Sequence, residues 1–578
     1  MELPPSRVHA ARFPNSRLFS RSRCAIAAAV LLAAALGGCS IWDLGPEPDH
    51  YVGASRRDGA QLLTDANLRA VTPQVPGDEP GGAAMLPGTM PAPGTAPSTA
   101  PATATAPSTR GKVPGDVSVQ EAILTGLDNN VALRVQRLNV PKARTSEEAA
   151  LSAFDPTVSG TVQGGTTVSN GRIVDSVSAS GTVTEFLPTG TTIQGRATTS
   201  NNFYSESALT NTATLTVSQA LLRGAGLDVN LAQLREAELS TKITQYQLRG
   251  VAETLVANIE EAYWDLAFAR QQVAIVQNAL DVAERQLNDT EQRVRVQRLA
   301  PAELPAAQAE VASRRVDLIN AKSNLEETRL RFLQLLAPAN REFWNQQIDL
   351  STLPFIPPGT MDEVDSHAAV ALKYRPDMNE ARLQLQRGDL EVVRTKNGLL
   401  PRLDLFTTLG KSSFSESFGH SVGRLFDSAD YQALIGVNVD WDPINRGPNA
   451  TFRAAQLTQE QLRETLDNQA QLVQLDVRTQ YIEVRRTRDQ IDATRAQREA
   501  REANLQVQEG KLTAGSGTSL LVAIAQRDLL SAQLAEVQSV TNHLKSLVEL
   551  YRLEGTLLLR RGLDAPGATP IEGIAWRK

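Results

Sequence analysis

Between Leu227 and Leu299, apolar residues return at every seventh position: Ile259, Leu266, Val273, Leu280, Leu287 and Val294. Three residues after the first five stand Ala262, Ala269, Val276, Ala283 and Thr290. An a/d seam of this kind, free of Pro and Gly beyond Gly250, predicts one long coiled-coil helix. Roughly 70 residues at about 1.5 Å each span roughly 105 Å, more than a compact domain needs.

The pattern occurs twice. At a shift of 218 (481 minus 263), Tyr263 meets Tyr481, Arg270 meets Arg488, and Ile259, Leu266 and Val273 meet Val477, Val484 and Ile491. Upstream the shift is 245 (400 minus 155), where Asp155-Pro156 meets Leu400-Pro401. The chain therefore reads as an internal two-fold sequence repeat. The first copy spans 116–336 and the second 362–560, with a linker at 337–361 and a tail at 561–578. The first copy is longer by 27 residues (245 minus 218), all between Pro156 and Arg235.

In that interval the period changes to two. Val177, Ala179, Gly181 and Val183 alternate with Ser and Thr, as do Ala213, Leu215 and Val217. In the second copy Leu403 and Leu405 open one strand, and Ile435, Val437, Val439 and Trp441 mark its partner. Thr, Ser, Val and Gly suit strands better than helices. Leu187-Pro188-Thr189-Gly190 reads as the turn between two strands. About four strands result, set between helical segments near 117–129 and 130–153 and the long helices.

The N-terminus has a different character. Arg12, Arg17, Arg21 and Arg23 precede an apolar run from Ala25 to Leu36, which is an export signal rather than a membrane span. The run ends in Leu36-Gly37-Gly38-Cys39, similar to the bacterial lipoprotein signal in which the Cys is acylated. Acylation of Cys39 would anchor the chain to lipid, and Ser40 after it points to the outer membrane. Residues 1–39 are thus read as the signal and 40–115 as a tether. Between Val71 and Gly115 stand ten Pro among Ala, Thr, Ser and Gly, a composition that builds no core.

No mature segment has 18 consecutive apolar residues, so no helix is expected to cross a bilayer. Alternating strands cross one only as a closed barrel. Four strands close no barrel, so several protomers must share it. The fold class is α+β and mainly α, with long coiled-coil helices continuing a shared antiparallel β-barrel into the periplasm.

Over about 116–560 the chain resembles the lipidated branch of the TolC-like outer membrane efflux proteins. The resemblance rests on the repeat, the hairpin between helices, Gln219-Ala220-Leu221-Leu222-Arg223-Gly224 before the first long helix, and Lys511 to Thr518 after its twin. It implies a homotrimer with four strands per chain in a twelve-stranded barrel. It implies a passive exit duct of a tripartite efflux or type I secretion system, joined by a periplasmic adaptor to an inner-membrane pump or ABC exporter. It places the adaptor contacts at two helix–helix turns: Leu299, Ala300 and Pro301, and Thr513, Ala514, Gly515, Ser516, Gly517 and Thr518. The family's best-known gate uses Tyr, Arg and two Asp. Aligned on Gly515, those positions hold Leu512, Gly517, Leu521 and Ile524, so a polar latch is absent. Closure is then expected through Leu520, Leu521 and Ile524, or through Glu303, which is equally at home as a partner of a helix N-terminus. The second long helix replaces Leu280, Ala283, Ala262 and Val276 by Arg498, Arg501, Gln480 and Thr494. Either a water-facing inner helix or a solvated outer face accounts for that.

No catalytic motif is present, and the five His are scattered, so neither an enzyme nor a cofactor is expected. A charge of −10 without the signal (53 Lys+Arg against 63 Asp+Glu) gives no sign of a nucleic-acid partner. The reading that competes from another class is a periplasmic coiled-coil lipoprotein spacer without a pore.

Overall fold

The computed structural model describes residues 116–571 apart from 170–171, 203–208, 337–343, 346–347, 353, 357–360 and 416–430. The signal, Cys39 and the tether lie outside the described residues, as do much of the 337–361 linker and residues 572–578.

The first half opens with β1 (Asp116–Val117) and α1 (Val119–Asn129). A capping box starts α1. The Ser118 hydroxyl accepts from the Glu121 N–H at 3.2 Å, and the Glu121 carboxylate accepts from the Ser118 N–H at 3.1 Å. The helix expected over 130–153 is two helices, α2 (Val131–Arg137) and α3 (Asn139–Leu151). Pro141 has no N–H to give the Arg137 carbonyl, so an α-helical ladder is interrupted there. Four strands follow: β2 (Thr157–Ser169), β3 (Arg172–Phe186), β4 (Thr191–Asn202) and β5 (Leu209–Ala220). After the single turn α4 (Leu227–Asn230) comes α5 (Ala232–Arg295), 64 residues or about 96 Å, and then α6 (Leu304–Leu336). The predicted long helix is therefore present and somewhat shorter at both ends.

The second half comprises β6 (Asp349–Leu350), α7 (Val364–Tyr374), α8 (Pro376–Asn397), β7 (Arg402–Ser415), β8 (Gln432–Asp440), α9 (Arg446–Thr513), α10 (Ser519–Leu553) and α11 (Leu557–Arg560). Both ends of α7 lie 245 residues after those of α1 (364 minus 119, 374 minus 129), and α9 ends 218 after α5 (513 minus 295). Side-chain contacts recur at the same offsets. The Tyr263 hydroxyl donates to the Val117 carbonyl at 3.1 Å, and the Tyr481 hydroxyl donates to the Asp362 carbonyl at 3.1 Å. Arg137 donates to the Leu127 carbonyl, and Arg382 to that of Leu372.

The helices pack along α5. Its middle, from Leu248 to Ala267, is buried against Ile123 and Leu127 of α1, Phe332 and Leu333 of α6, and Leu544 and Val548 of α10. Farther along, Val276, Leu280 and Ala283 meet Val311, Leu318 and Ala321 of α6 and Leu530 of α10. The small d residues Ala269, Val276, Ala283 and Thr290 are all buried, which lets the partner helices come close, while Ala262 is half-buried. In the second half Val473, Val477 and Val484 of α9 pack on α7 and on the end of α10.

The sheet corrects the strand count. Among the described residues it has six strands, in the order β2-β3-β4-β5-β7-β8, with every neighbouring pair antiparallel. About four were expected because β2 and β4 alternate weakly: Gly160, Gly164 and Gly195 dilute Val158, Val162 and Ile193. Backbone pairing holds them whatever the side chains are: β4 lies between β3 and β5, and β2 pairs along its β3 side. The two additional strands occupy the longer stretch of the first copy.

Candidate functional site

The strand register sorts the sheet into two unlike faces. One row runs Val158, Val183, Gly195, Leu215, Leu409, Ala433 across all six strands. The adjacent row, which points to the opposite face, runs Ser159, Thr182, Arg196, Thr214, Gly410, Gln432. The first face is mostly apolar and largely exposed, with Val158 and Val162 each at 79% and Ile435 at 71%; by register Asp175, Glu185 and Lys411 also fall on it. The second is lined with Thr and Ser hydroxyls. Between its two ends Arg196 is the one charged side chain on that face among the described residues. A sheet in water has no use for such an apolar face on all six strands; a barrel wall in lipid does.

Two tight turns close the helix pairs at the far end from the sheet. In the first, α5 stops at Arg295, Gln297 takes a left-handed conformation (φ 57°), and a short 3-10 turn over Pro301–Glu303 leads into α6. Leu299 is half-buried, Ala300 and Pro301 are exposed, and Glu303 is half-buried at the helix start. In the second, Ala514 caps α9 and Gly515 has φ 75°, where a side chain is strained. The N–H groups of Ser516 and Gly517 both donate to the Lys511 carbonyl, at 2.9 and 3.0 Å. A Cβ on Gly517 would stand 2.8 Å from the Leu512 nitrogen. Thr518 then caps α10 by accepting from the Leu521 N–H. Leu520, Leu521 and Ile524 are 58%, 46% and 38% exposed, whereas Val522 and Ala525 turn inward and are buried. The structure thus gathers the three apolar gate candidates on one unpacked side of α10.

Residues of the polar seam of α9 bond to α10, while Arg501 keeps 44% of its side chain exposed. Arg498 donates to Glu536 at 2.6 Å, Arg501 to Asp528 at 3.1 Å, and Gln480 to the Ser546 carbonyl at 2.9 Å. The hydroxyls of Thr494 and Ser539 are 2.9 Å apart.

Sequence reasoning missed a buried ionic belt around the middle of α5. Arg249 and Glu253 pair at 3.1 Å with almost no exposure, and Arg249 also donates to the carbonyls of Gly555 and Gly567. Burial pushes the Glu253 carboxyl up to about 7, against the opposing pull of Arg249. Arg561 forks onto Glu260. His367 of α7 contacts Glu554 through Nδ1, and Arg560 and Thr556 complete the Glu554 shell. Burial raises the Glu554 carboxyl, but the His367 hydrogen bond and the Arg560 charge outweigh it and hold the group below its ordinary range. The Tyr246 hydroxyl donates to the Thr569 carbonyl at 2.6 Å. In α5 the signal was present in the sequence only as Arg249 at an e position and Glu253 and Glu260 at b positions inside an apolar run, which a heptad reading discounts. Several of these groups tie the tail to the helices. Among the described residues no group of three His, Cys, Asp or Glu is placed to hold a metal. Likewise, no described helix is long and apolar enough to cross a membrane.

Known proteins share this arrangement. The family described as "Outer membrane efflux protein" matches residues 123–337 and 368–556. The cobalt-zinc-cadmium resistance protein CzcC of Cupriavidus metallidurans is 23% identical over 241 residues, 42% of this chain and 53% of that protein. The chain thus spans about half the length of that curated relative. Among solved structures, the outer-membrane channel OprN is similar at TM-score 0.58 and 19% identity, covering 76% of this chain and 89% of that one. The outer membrane protein VceC of Vibrio cholerae is similar at TM-score 0.57 and 15% identity, covering 76% and 96%. The open-state MtrE outer membrane channel of Neisseria gonorrhoeae is similar at TM-score 0.54 and 19% identity, covering 76% and 89%. At these identities the structural likeness establishes the fold.

Proposed function

Since the chain belongs to the outer membrane efflux protein family, and is an outer membrane protein rather than an enzyme, we propose that three copies form the exit duct of a tripartite efflux or type I secretion system. The observation that carries this is the two-faced sheet mounted on helices of 64 and 68 residues. The sheets form the membrane barrel and the helices form the periplasmic tube. The duct is passive; a pump or ABC exporter in the inner membrane supplies the energy. A periplasmic adaptor docks on the turns at 299–301 and 513–518, whose exposed small residues suit helical hairpins. Acylated Cys39 holds the N-terminus to the outer membrane through the 40–115 tether. Leu520, Leu521 and Ile524 form an apolar closure at the tip, and Glu303 lies on the neighbouring turn.

The test uses Cys39→Ala on a cleavable signal, with membrane fractionation followed by single-channel recording in a planar bilayer. Outer-membrane partition without lipid, and conductance steps that grow when the 511–520 turn is disrupted, support the duct. Soluble protein without conductance replaces it by the periplasmic spacer.

A further inference from the structure

The sheet of one protomer is unfinished in a specific way. Its edges are β2 and β8, neither of which has a partner on its outer side among the described residues. They are 13 and 9 residues long. β2 leaves the helical end of the molecule and β8 returns to it, so β8 of one copy meets β2 of the next antiparallel, as every internal pair does. β2 has none of the Lys, Pro or inward charges that protect edges from pairing. At about 3.3 Å per residue β2 is about 43 Å long, which at about 45° of tilt covers the ~30 Å hydrocarbon layer.

The hairpin formed by β2 and β3 also has the wall pattern. Val158 and Val183 pair on the apolar face, and Ser159 and Thr182 on the hydroxyl face. A hairpin lying in water or plugging the lumen has no reason to keep one apolar face in register with β4, β5, β7 and β8. Resting on the three-copy reading above, we infer that each chain supplies six strands and that the barrel has eighteen, closed by β8 of one copy pairing with β2 of the next. Barrel diameter grows about linearly with strand number, so this lumen is ~1.5-fold wider than one of four strands per chain. Barrels of 16–18 strands leave an aqueous channel. The wall then presents Thr and Ser hydroxyls and one Arg196 per chain. The barrel suits large hydrated cargo, and the narrowest point of the duct lies at its helical end.

Disulfide trapping tests the closure. The background is Cys39→Ala on a cysteine-free cleavable signal in place of residues 1–38, which removes both native thiols, Cys24 and Cys39, so introduced cysteines are the only ones. Val158→Cys and Val162→Cys are each combined with Ile435→Cys, Val437→Cys or Val439→Cys, to cover possible registers. The rival combinations use Ile193→Cys or Ala197→Cys with the same β8 positions, as closure through β4 in a twelve-stranded barrel demands. Native mass spectrometry of the detergent-solubilised complex counts the copies independently. Three-copy mass with β2–β8 cross-linking is the expected result. Three-copy mass with β4–β8 cross-linking, or with neither, overturns the eighteen-stranded barrel. A mass other than three copies overturns the trimer itself, whichever strands cross-link. Polyethylene glycol of graded size, added on the barrel side during single-channel recording, reads the mouth. Wild-type protein should admit polymers ~1.5-fold larger in radius than a deletion of 157–186 does; equal cut-offs, with both proteins conducting, count against the added hairpin as barrel wall.

Discussion

Arg561, one residue beyond α11, forks onto the carboxylate of Glu260 in the middle of α5, with Nε donating to Oε1 at 2.7 Å and Nη2 to Oε2 at 2.6 Å. Glu260 has no exposed surface, and the Arg561 side chain retains 21%. Two residues 301 apart are thereby clamped where the helices of both halves meet. Removing one partner leaves a buried charge unpaired. Arg561→Ala is therefore expected to cost on the order of 3–5 kcal/mol, read as a lower denaturant midpoint. The double variant Arg561→Met with Glu260→Leu should recover most of that loss, because it leaves no charge behind.

Glu253 gives the belt a pH dependence. Its folded-state pKa of about 7 lies above the unfolded value. Stability from this group is fully present below about pH 4.5 and is lost as pH rises through 7. The difference corresponds to on the order of 3 kcal/mol. Glu253→Gln should flatten the dependence of unfolding stability on pH between about 5 and 8. An unchanged slope would mean that the carboxylate ionises freely in the folded protein.

At the second turn, Gly515 takes a left-handed conformation that costs an L-residue ~1–2 kcal/mol. Gly515→Ala should lower amide protection around the 511–520 turn roughly tenfold in hydrogen exchange, and leave the middle of α5 unchanged. If adaptor hairpins dock there, adaptor binding weakens in the same variant.

Arg196 sits alone among hydroxyls in the middle of the polar face. If that face lines the lumen, Arg196→Glu shifts ion preference toward cations, seen as a moved reversal potential in a salt gradient. No shift in a conducting channel would put the polar face elsewhere.

Leu520, Leu521 and Ile524 share one exposed side of α10. Leu521→Asn with Ile524→Asn should raise the open fraction of single-channel records without lowering the unfolding midpoint, because neither side chain is packed within the protomer. Glu303→Gln, tested beside it, distinguishes apolar closure from a ring of carboxylates.

What the sequence determined by itself was whatever depends on local period and on residue chemistry. The seven-residue spacing from Ile259 to Val294 specifies a long helix. The Gly515–Gly517 cluster specifies its sharp return, and the Ser/Thr–Val alternation at 177–183 and 213–217 specifies strands. Each of these follows from backbone geometry acting over a few neighbours. The tertiary structure decided the rest. β2 and β4 are strands because β3 pairs with both and β5 with β4, a condition their own glycine-diluted pattern does not reveal. Arg498 and Arg501 read equally as a water-facing inner surface or a solvated outer face, and only the tertiary structure brings Glu536 and Asp528 across from α10 to pair with them. Glu260 and Arg561 bear opposite charges three hundred residues apart, and no spacing rule joins them. Burial is a property of everything packed around a side chain, so which charges become a belt emerges only when both halves of the chain have closed on α5.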